Sequence, residues 1–117
     1  MSIVIIRQSA TAEGFQQQGT PARPLTQPPC ELSGIDIDLE GAGESHAGLW
    51  ECTPGRFERQ IANAEVMHIL AGASTFTPTD GEAQQIRAGD TLFFPANTTG
   101  EWHVTETLRK VFVVLSA

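Results

Sequence analysis

The chain has 117 residues, of which 40% are hydrophobic and 7% aromatic, and this composition is typical of one globular domain. No apolar run approaches the roughly 20 residues that cross a bilayer, and "MSIVIIRQSA" lacks the basic leading region of a signal peptide, so we expect a cytoplasmic protein with no membrane partner. Its 7 basic and 14 acidic residues give a formal charge of −7, which would repel nucleic acid phosphates and argues against nucleic acid as a partner.

The first third of the chain is rich in proline. Four prolines lie within "GTPARPLTQPPC", at Pro21, Pro24, Pro28 and Pro29. Because proline fixes φ and has no N–H to donate, neither a helix nor a central strand can run through this stretch. We therefore predict an irregular N-terminal arm over residues 1–34, packed on the rest of the domain or on a partner subunit, and a folded domain over residues 35–117.

The stretches that follow the arm predict strands and a loop. "GIDIDLEG" alternates apolar with acidic residues, which is typical of a half-exposed strand. "GAGESHAG" is a glycine-rich loop, in which His46 is expected to be solvated. "LWECTPGRFERQI" then predicts two short strands that turn at Thr53, Pro54 and Gly55 and form a hairpin.

The second half of the chain predicts strands throughout. "EVMHILAGASTFT" indicates a long pair of strands, followed by an Asp-Gly turn in "TDGE". "AQQIRAGDTLFFPANTTG" contains a strand, a Gly-Asp turn, a second strand and a proline stop. "EWHVTE" and "LRKVFVVL" complete the set, and the latter is apolar on both faces, as central strands are.

The fold class follows from these periodicities. No segment repeats apolar residues at helical spacing for more than a turn or two, whereas short β-rich runs recur between Gly, Pro, Asn and Asp. An all-β protein is therefore predicted. A sandwich or a jelly-roll barrel is favoured because both protect most strand edges.

From Glu65 onward, the order "EVMHILAG", "DG", "AGDTLFFPANTTGEW" and "RKVFVV" resembles the cupin superfamily. It is most similar to the small single-domain cupins related to ureidoglycine aminohydrolase, and the similarity covers residues 48–115. This resemblance implies a double-sheet jelly-roll barrel behind an irregular arm, with an interior that holds a small polar substrate and commonly a metal. We also expect a homodimer.

The first cupin motif places a His-x-His pair before a glutamate and a glycine. Glu65 and Gly72 match the glutamate and the glycine. The positions of the histidine pair are occupied by other residues: Arg59 and Ile61, or Glu58 and Gln60 in the alternative spacing. Two of the usual metal ligands are therefore missing from this motif.

The second cupin motif supplies the fourth metal ligand. Gly89 and Pro95 match it, but Asn97 replaces a glycine and Gly100 stands at the position of the metal-binding histidine. With three of four ligands missing, we expect no metal cofactor. The two cysteines lack CxxC spacing and are expected to be free thiols, which make no zinc site.

A divalent metal (Mn, Fe, Ni or Zn) would require Glu65, Glu101 and His103 to converge, which one extra residue after Pro95 would permit. Against this, Trp102 belongs to the apolar set of its strand, so we predict that Trp102 faces inward and that His103 lies on the surface. The same alternation turns Glu65 inward with Met67 and Ile69, and turns His68 to the other side.

Two charged residues are the catalytic candidates. Glu65, as a carboxyl group in an apolar barrel, is expected to act as a general acid or base, or else to be a structural carboxylate held by Arg59 or by backbone donors. Lys110 stands on an apolar face and is expected either to reach outward or to pair with Glu65 or Glu51. The resemblance implies that Lys110, followed two positions later by the aromatic Phe112, lines the pocket.

The remaining pocket candidates are substrate-binding residues, namely Trp50, Arg59, Met67, Trp102 and Phe112. The predicted function is that of a cupin that binds or transforms a small polar metabolite, such as a ureide, amide, organic acid or sugar derivative. Two alternatives stay open: a non-catalytic binding or sensing module that has lost its metal site, and a structural dimer with a filled barrel.

Overall fold

The computed structural model describes residues 3–116, and within that range it contains one short 3-10 helix, Ser9–Thr11, and a sheet of 9 strands. The strands are β1 (Gln16–Gly19), β2 (Arg23–Pro24), β3 (Leu32–Ile37), β4 (His46–Cys52), β5 (Gly55–Ile61), β6 (Glu65–Pro78), β7 (Gln84–Arg87), β8 (Thr91–Phe94) and β9 (Thr98–Val114). The prediction of an all-β protein is confirmed. Over the same residues, no helix combines the length and apolar character needed to span a membrane.

The two longest strands, β6 and β9, pair antiparallel with each other and form the middle of the sheet. On the other edge of β9, β4 pairs with its C-terminal part and β5 with its N-terminal part. On the other edge of β6, β8 pairs with its N-terminal part and β7 with its C-terminal part. β1 and β3 extend the sheet beyond β4, and β2 extends it beyond β5. The sheet thus has two halves that share both long strands.

The two halves meet at residues 105–107 of β9. Cys52 of β4 pairs with Leu108, whereas Gly55 of β5 pairs with Val104, and the three residues between them lie outside this ladder. The pairing of β6 with β9 shifts register over the same stretch. Because such extra residues bend a strand and increase its twist, the sheet curls here and encloses a core between its halves.

The predicted hairpin between β4 and β5 is wrong. These strands do not pair with each other but follow one another along the same edge of β9, interrupted at Thr53 and Pro54. Pro54 has no N–H to donate and ends the first ladder, while the long β9 continues past it and offers edge to the second strand.

Two predicted pairs of strands are single strands. "EVMHILAGASTFT" lies within β6, and "EWHVTE" and "LRKVFVVL" belong to one continuous β9. Most strands have about 5–6 residues, so each of these long stretches was predicted to be two strands. Register shifts in their pairing allow both strands, β6 and β9, to bend without ending. His46, predicted in a loop, is the exposed first residue of β4.

Aromatic side chains from both halves of the sheet fill one end of the core. Phe94 stacks on Trp102 with ring centroids 5.9 Å apart, and Phe76 lies 4.9 Å from Phe94 and 5.1 Å from Trp102. Trp102 and Val104 are buried, whereas His103 between them is exposed. The structure therefore has the register with Trp102 inside.

The N-terminal residues are tied to the sheet at several places. β1 pairs with β3 and β2 pairs with β5, each at an edge of the sheet. The Arg109 guanidinium donates to the carbonyl oxygens of Ser9, Ala10 and Ala12 at 3.2, 3.2 and 2.9 Å. It also lies 4.3 Å from the ring centroid of Phe15. Backbone pairing and one partly buried arginine thus hold this segment against the domain.

The two cysteines are buried in the core next to each other, on the segment before β3 and on β4. Both thiols are free, as predicted. Burial is the main reason why the pKa of each thiol, Cys30 and Cys52, is raised above its ordinary value.

Candidate functional site

An open cavity of about 1110 Å³ lies between the two halves of the sheet. Its lining includes one lysine and one carboxylate deep in the barrel, Lys110 and Glu65, and three large aromatic side chains, Trp50, Trp102 and Phe112. Pockets that bind small molecules are commonly about 300–1,000 Å³ and combine apolar walls with a few polar groups. The cavity volume lies just above the upper end of this range, and the cavity has the lining of a metabolite site.

Strand alternation and register bring these side chains together. Trp50 of β4 stands directly opposite Lys110 of β9, and Met67 of β6 stands opposite Phe112. Glu65 comes two positions before Met67, so it shares the inward face of β6. All five inward residues thus come from the C-terminal part of β9 and the two strands beside it.

Lys110 and Glu65 form a buried ion pair. Lys110 Nζ donates to Glu65 Oε2 at 2.9 Å and contacts Met67 Sδ at 3.7 Å. The two charged side chains are only 10% and 6% exposed. Removing two charges from water costs several kcal/mol per ion, which the attraction between them offsets only with good geometry. A pair of this kind is an expensive way to fill a core.

Aromatic rings surround the ammonium group. Nζ lies 4.6 Å from the ring centroid of Trp50, 5.4 Å from that of Phe112 and 6.0 Å from that of Trp102. These rings attract the cation but replace its water. The net result is that burial lowers the pKa of Lys110, against the opposing effect of Glu65, and the charge of Arg59 lowers it further.

The ion pair keeps unused hydrogen-bonding capacity. An ammonium group has three N–H donors, and the hydrogen bonds of Nζ within residues 3–116 go to Glu65 and Met67 alone. The Glu65 carboxylate uses Oε2 in this pair, and over the same residues Oε1 accepts no hydrogen bond. A ligand in the cavity can therefore meet one donor and one acceptor side by side.

The structure decides which partner each predicted residue takes. Lys110 pairs with Glu65, while Glu51 accepts from Arg109 at 2.9 Å on the other face of the sheet. Arg59 does not hold Glu65; it is exposed at the cavity mouth and donates to the carbonyl oxygen of Gln60 at 3.1 Å. Met67, predicted as a wall, lies buried beneath the ion pair.

The cavity mouth includes residues that the sequence did not indicate. Several come from the proline-rich arm: Gln18, Thr20, Pro21, Ala22 and Arg23. They reach the mouth because β2 pairs with β5, which brings Arg23 opposite Glu58. The sequence carries no local signal for this pairing, since two residues beside a proline do not show strand periodicity.

The residues at the metal-ligand positions do not fit a cupin metal. Gly100 stands where a histidine would bind, and a Cβ added there would lie 2.4 Å from the carbonyl oxygen of Thr77 and 2.7 Å from the Phe76 ring. There is thus no room for any side chain. Glu65 is the remaining matching ligand, and its carboxylate already neutralises the Lys110 ammonium, which would repel a second cation.

The alternative metal set does not converge either. Glu101 accepts from Arg56 Nε at 2.7 Å and Nη2 at 3.1 Å, and this hydrogen bond lowers the pKa of Glu101. His103 is exposed on the same outer face. Across residues 3–116, no three His, Cys, Asp or Glu side chains lie close enough together to share a metal ion.

His68 and a second cavity lie outside this site. His68 Nδ1 is 2.7 Å from the Thr91 hydroxyl, on the face of β6 opposite Glu65, as alternation predicted. The second cavity, of about 440 Å³, is lined largely by apolar residues of β6, β7 and β8. Asp90 is its one charged lining residue, and it accepts from the backbone N–H of Arg87 at 2.8 Å. The larger cavity is therefore the candidate site.

Comparisons with known proteins identify a family and a fold. The model of the EutQ-like cupin domain family matches residues 39–112. No curated protein matches the chain significantly. Among solved structures, a protein of unknown function of the DUF861 family from Pseudomonas syringae pv. tomato has a TM-score of 0.79 at 20% identity, over 90% of this chain and 45% of that one. This chain therefore spans less than half of the Pseudomonas protein.

Two further structures have the same fold. The EutQ protein of Clostridium difficile has a TM-score of 0.67 at 19% identity, over 82% of this chain and 78% of that one. A DUF861 family protein from Thermotoga maritima has a TM-score of 0.56 at 30% identity, over 57% of this chain and 76% of that one. For the Pseudomonas and Clostridium proteins, which are 20% and 19% identical to this chain, the similarity shows the fold alone.

Proposed function

Because this chain belongs to the family of EutQ-like cupin domains, we propose that it binds and transforms a small polar metabolite inside its barrel. The predicted cupin jelly roll is confirmed by the family match and by the curled all-β sheet. The narrower relation to ureidoglycine aminohydrolase is part of the proposal, and with it the ligand classes: ureides, amides, organic acids and sugar derivatives.

The observation that carries the proposal is the Lys110–Glu65 pair at the bottom of an open cavity of about 1110 Å³. A buried ion pair adds little to stability compared with apolar residues of similar volume. Perturbed ionisable groups in a cleft are typical of functional sites. The space beside the pair also argues against the alternative of a structural protein with a filled barrel.

The pair supplies acid–base chemistry without a metal. Glu65 Oε1 faces no protein donor within residues 3–116 and can accept a proton or an N–H from the ligand. Lys110 can donate its remaining N–H to a ligand oxygen on which negative charge develops. Trp50, Trp102 and Phe112 hold the apolar part of the ligand and keep water from the reacting atoms.

Arg59 has a different place in the proposal. It is exposed at the mouth of the same cavity, in a chain with a formal charge of −7. A cation at the entrance offsets the repulsion that an acidic protein exerts on an anionic ligand. We therefore assign Arg59 to ligand entry and orientation.

A homodimer remains part of the proposal, and sedimentation velocity of the purified chain tests it.

The test uses a panel of ureides, amides, organic acids and sugar derivatives. Isothermal titration identifies ligands of the wild-type chain, and Glu65→Gln is then compared with it for affinity and turnover. For an acid–base enzyme we expect turnover to fall by about 100-fold or more while affinity changes by a few fold. The control is Glu58→Gln, which changes an exposed carboxylate at the cavity mouth.

The competing function is a non-catalytic binding module that has lost its metal ligands. Two outcomes would favour it over the enzyme: ligands bind but none is turned over, or Glu65→Gln leaves turnover unchanged. If no member of the panel binds, the proposed ligand classes are wrong.

A further inference from the structure

Lys110 is the only lysine in the sequence. Lysine is among the residues least often buried, yet the side chain of this one is 10% exposed and ends deep in the barrel cavity. The other six basic residues of the chain are arginines. A single lysine has therefore been placed where an amine is costly to hold, beside space for a ligand.

A buried lysine differs from a buried arginine in one chemical respect. Arginine stays protonated in proteins, whereas an ammonium group in an apolar site can release its proton and become a nucleophile. Burial lowers the pKa of Lys110, and Arg59 adds to this. Glu65 Oε2, at 2.9 Å from Nζ, is placed to accept the proton.

We infer that Lys110 forms an imine with a small carbonyl compound, an aldehyde or an α-oxo acid, that enters the barrel cavity. The inference rests on the proposed function in one respect, since the same cavity receives the ligand. The shared chemistry is the reactive carbonyl group. An α-oxo acid, unlike an aldehyde, would in addition carry a carboxylate, which the charge of Arg59 at the mouth attracts towards the cavity.

The reaction balances within the ion pair. The ammonium gives one proton to Glu65, and the neutral amine attacks the carbonyl carbon, so that an N–C bond forms and the carbonyl electron pair moves to oxygen. Glu65 passes protons from nitrogen to this oxygen. The hydroxyl group then leaves as water while the nitrogen lone pair forms the C=N bond. Two of the three ammonium protons leave in the water, and one stays on the iminium nitrogen. Nothing is oxidised or reduced.

The surroundings suit the product as well as the reactant. The iminium ion carries the same positive charge as the ammonium, so Glu65 faces a cation before and after the reaction. Trp50 and Phe112, whose ring centroids lie 4.6 and 5.4 Å from Nζ, shield the C=N bond from the water that would hydrolyse it.

The experiment traps the imine by reduction. Wild-type protein is incubated at neutral pH with glycolaldehyde or with pyruvate, each with sodium cyanoborohydride, and the adduct is located by peptide mass spectrometry. Besides any labelling of the terminal amino group, we expect one adduct on Lys110, formed at least about tenfold faster than on Nα-acetyl-lysine, whose side-chain amine is almost wholly protonated at this pH. The source is identified by the acceleration over Nα-acetyl-lysine measured with the same reagent: a larger acceleration with pyruvate identifies α-oxo acids, and a larger one with glycolaldehyde identifies aldehydes.

A variant provides the control. Lys110→Arg keeps the charge and should lose the adduct, while labelling of the terminal amino group stays as in wild type. Since the main result comes from wild-type protein, a variant that fails to fold does not decide the test. The inference is overturned if the terminal amino group alone is labelled. It is also overturned if Lys110 is labelled no faster than Nα-acetyl-lysine. If ureides or other panel ligands still bind by titration in that case, the proposed function survives.

Discussion

At the scale of single residues, the Lys110–Glu65 pair combines a cost to stability with the function that we propose for it. Each charge is tolerated in the barrel because the other lies 2.9 Å away. Breaking such a pair leaves one buried charge without compensation, whereas replacing both members with apolar residues leaves none. Breaking the pair is therefore expected to destabilise the fold strongly, whereas replacing both members is not. Comparing the two kinds of variant measures what the pair contributes to the free energy of unfolding.

We predict that Glu65→Leu and Lys110→Met each destabilise the fold by about 3–5 kcal/mol, and that combining the two changes restores most of this loss. Urea unfolding, followed by tryptophan fluorescence, measures the free energies. The matched control is Arg23 with Glu58, an ion pair of 3.8 Å whose side chains are 78% and 53% exposed. Removing Glu58 should cost about 0–1 kcal/mol. A double variant as unstable as the sum of the single changes would mean that the two residues contribute independently and are not coupled as an ion pair.

The inward or outward direction of a side chain is predictable from sequence where alternation along a single strand decides it. Alternation within β9 places Trp102 inside and His103 outside, and alternation within β6 separates Glu65 from His68. It does not say which cation Glu65 would meet, because Arg59 lies on the preceding strand β5 and Lys110 on the distant strand β9. That choice depends on the register of β6 against β9, which no local pattern encodes.

At the scale of elements, the bends in the long strands decide the architecture. β6 and β9 each serve both halves of the sheet, so they must change direction without ending. A stretch of sequence as long as one strand does not distinguish a bend within a strand from the end of a strand. For this reason two strands were predicted as four. The hairpin error has the same origin, since β4 and β5 find their partner in β9 rather than in each other.

Gly72 provides the test of this account. It lies in β6 with φ at +93°, and a Cβ added there would lie 2.1 Å from the carbonyl oxygen of Thr107 in the bend of β9. Gly89 has nearly the same φ, +95°, but a Cβ there would meet no atom within 4 Å. The two glycines share the backbone conformation and differ in the space available, so they form a matched pair.

We predict that Gly89→Ala costs about 1–2 kcal/mol, the conformational penalty alone. Gly72→Ala should cost about 4 kcal/mol or more, because the backbone of β9 must also move. Thermal and urea unfolding of the two variants measure the difference. Equal losses would mean that the contact between the strands at the bend does not constrain the fold.

At the scale of the whole molecule, the two ends of the chain are brought together. Residues 16–24 supply two edge strands and part of the cavity mouth, and residues 9–15 pack against the last strand. The prolines between residues 19 and 30 correctly exclude a helix and a central strand from that stretch. The contacts of residues 9–24 escape sequence reasoning because each is long-range and most use backbone carbonyls, which every residue type provides.

Arg109 is the residue on which the packing of segment 9–15 depends. Its guanidinium donates to three carbonyl oxygens of that segment, to Glu51 at 2.9 Å, and covers the ring of Phe15. The side chain is 16% exposed, so these bonds are shielded from competing water. Arginine suits several acceptors at once, because it has five donors fixed in a plane and its charge is permanent.

We predict that Arg109→Met detaches residues 9–15 while the barrel stays folded, because the sheet pairings of β9 do not use this side chain. Hydrogen exchange should show at least about tenfold faster exchange in the peptide covering this segment, with unchanged protection in β6 and β9. The control is Arg87→Met, which removes an exposed arginine that bonds to Gln85 at 3.0 Å. Protection of residues 9–15 that persists in Arg109→Met would mean that apolar contacts, and not the arginine, hold the segment. Faster exchange throughout β9 would mean that the segment is part of the folded core rather than an attachment to it.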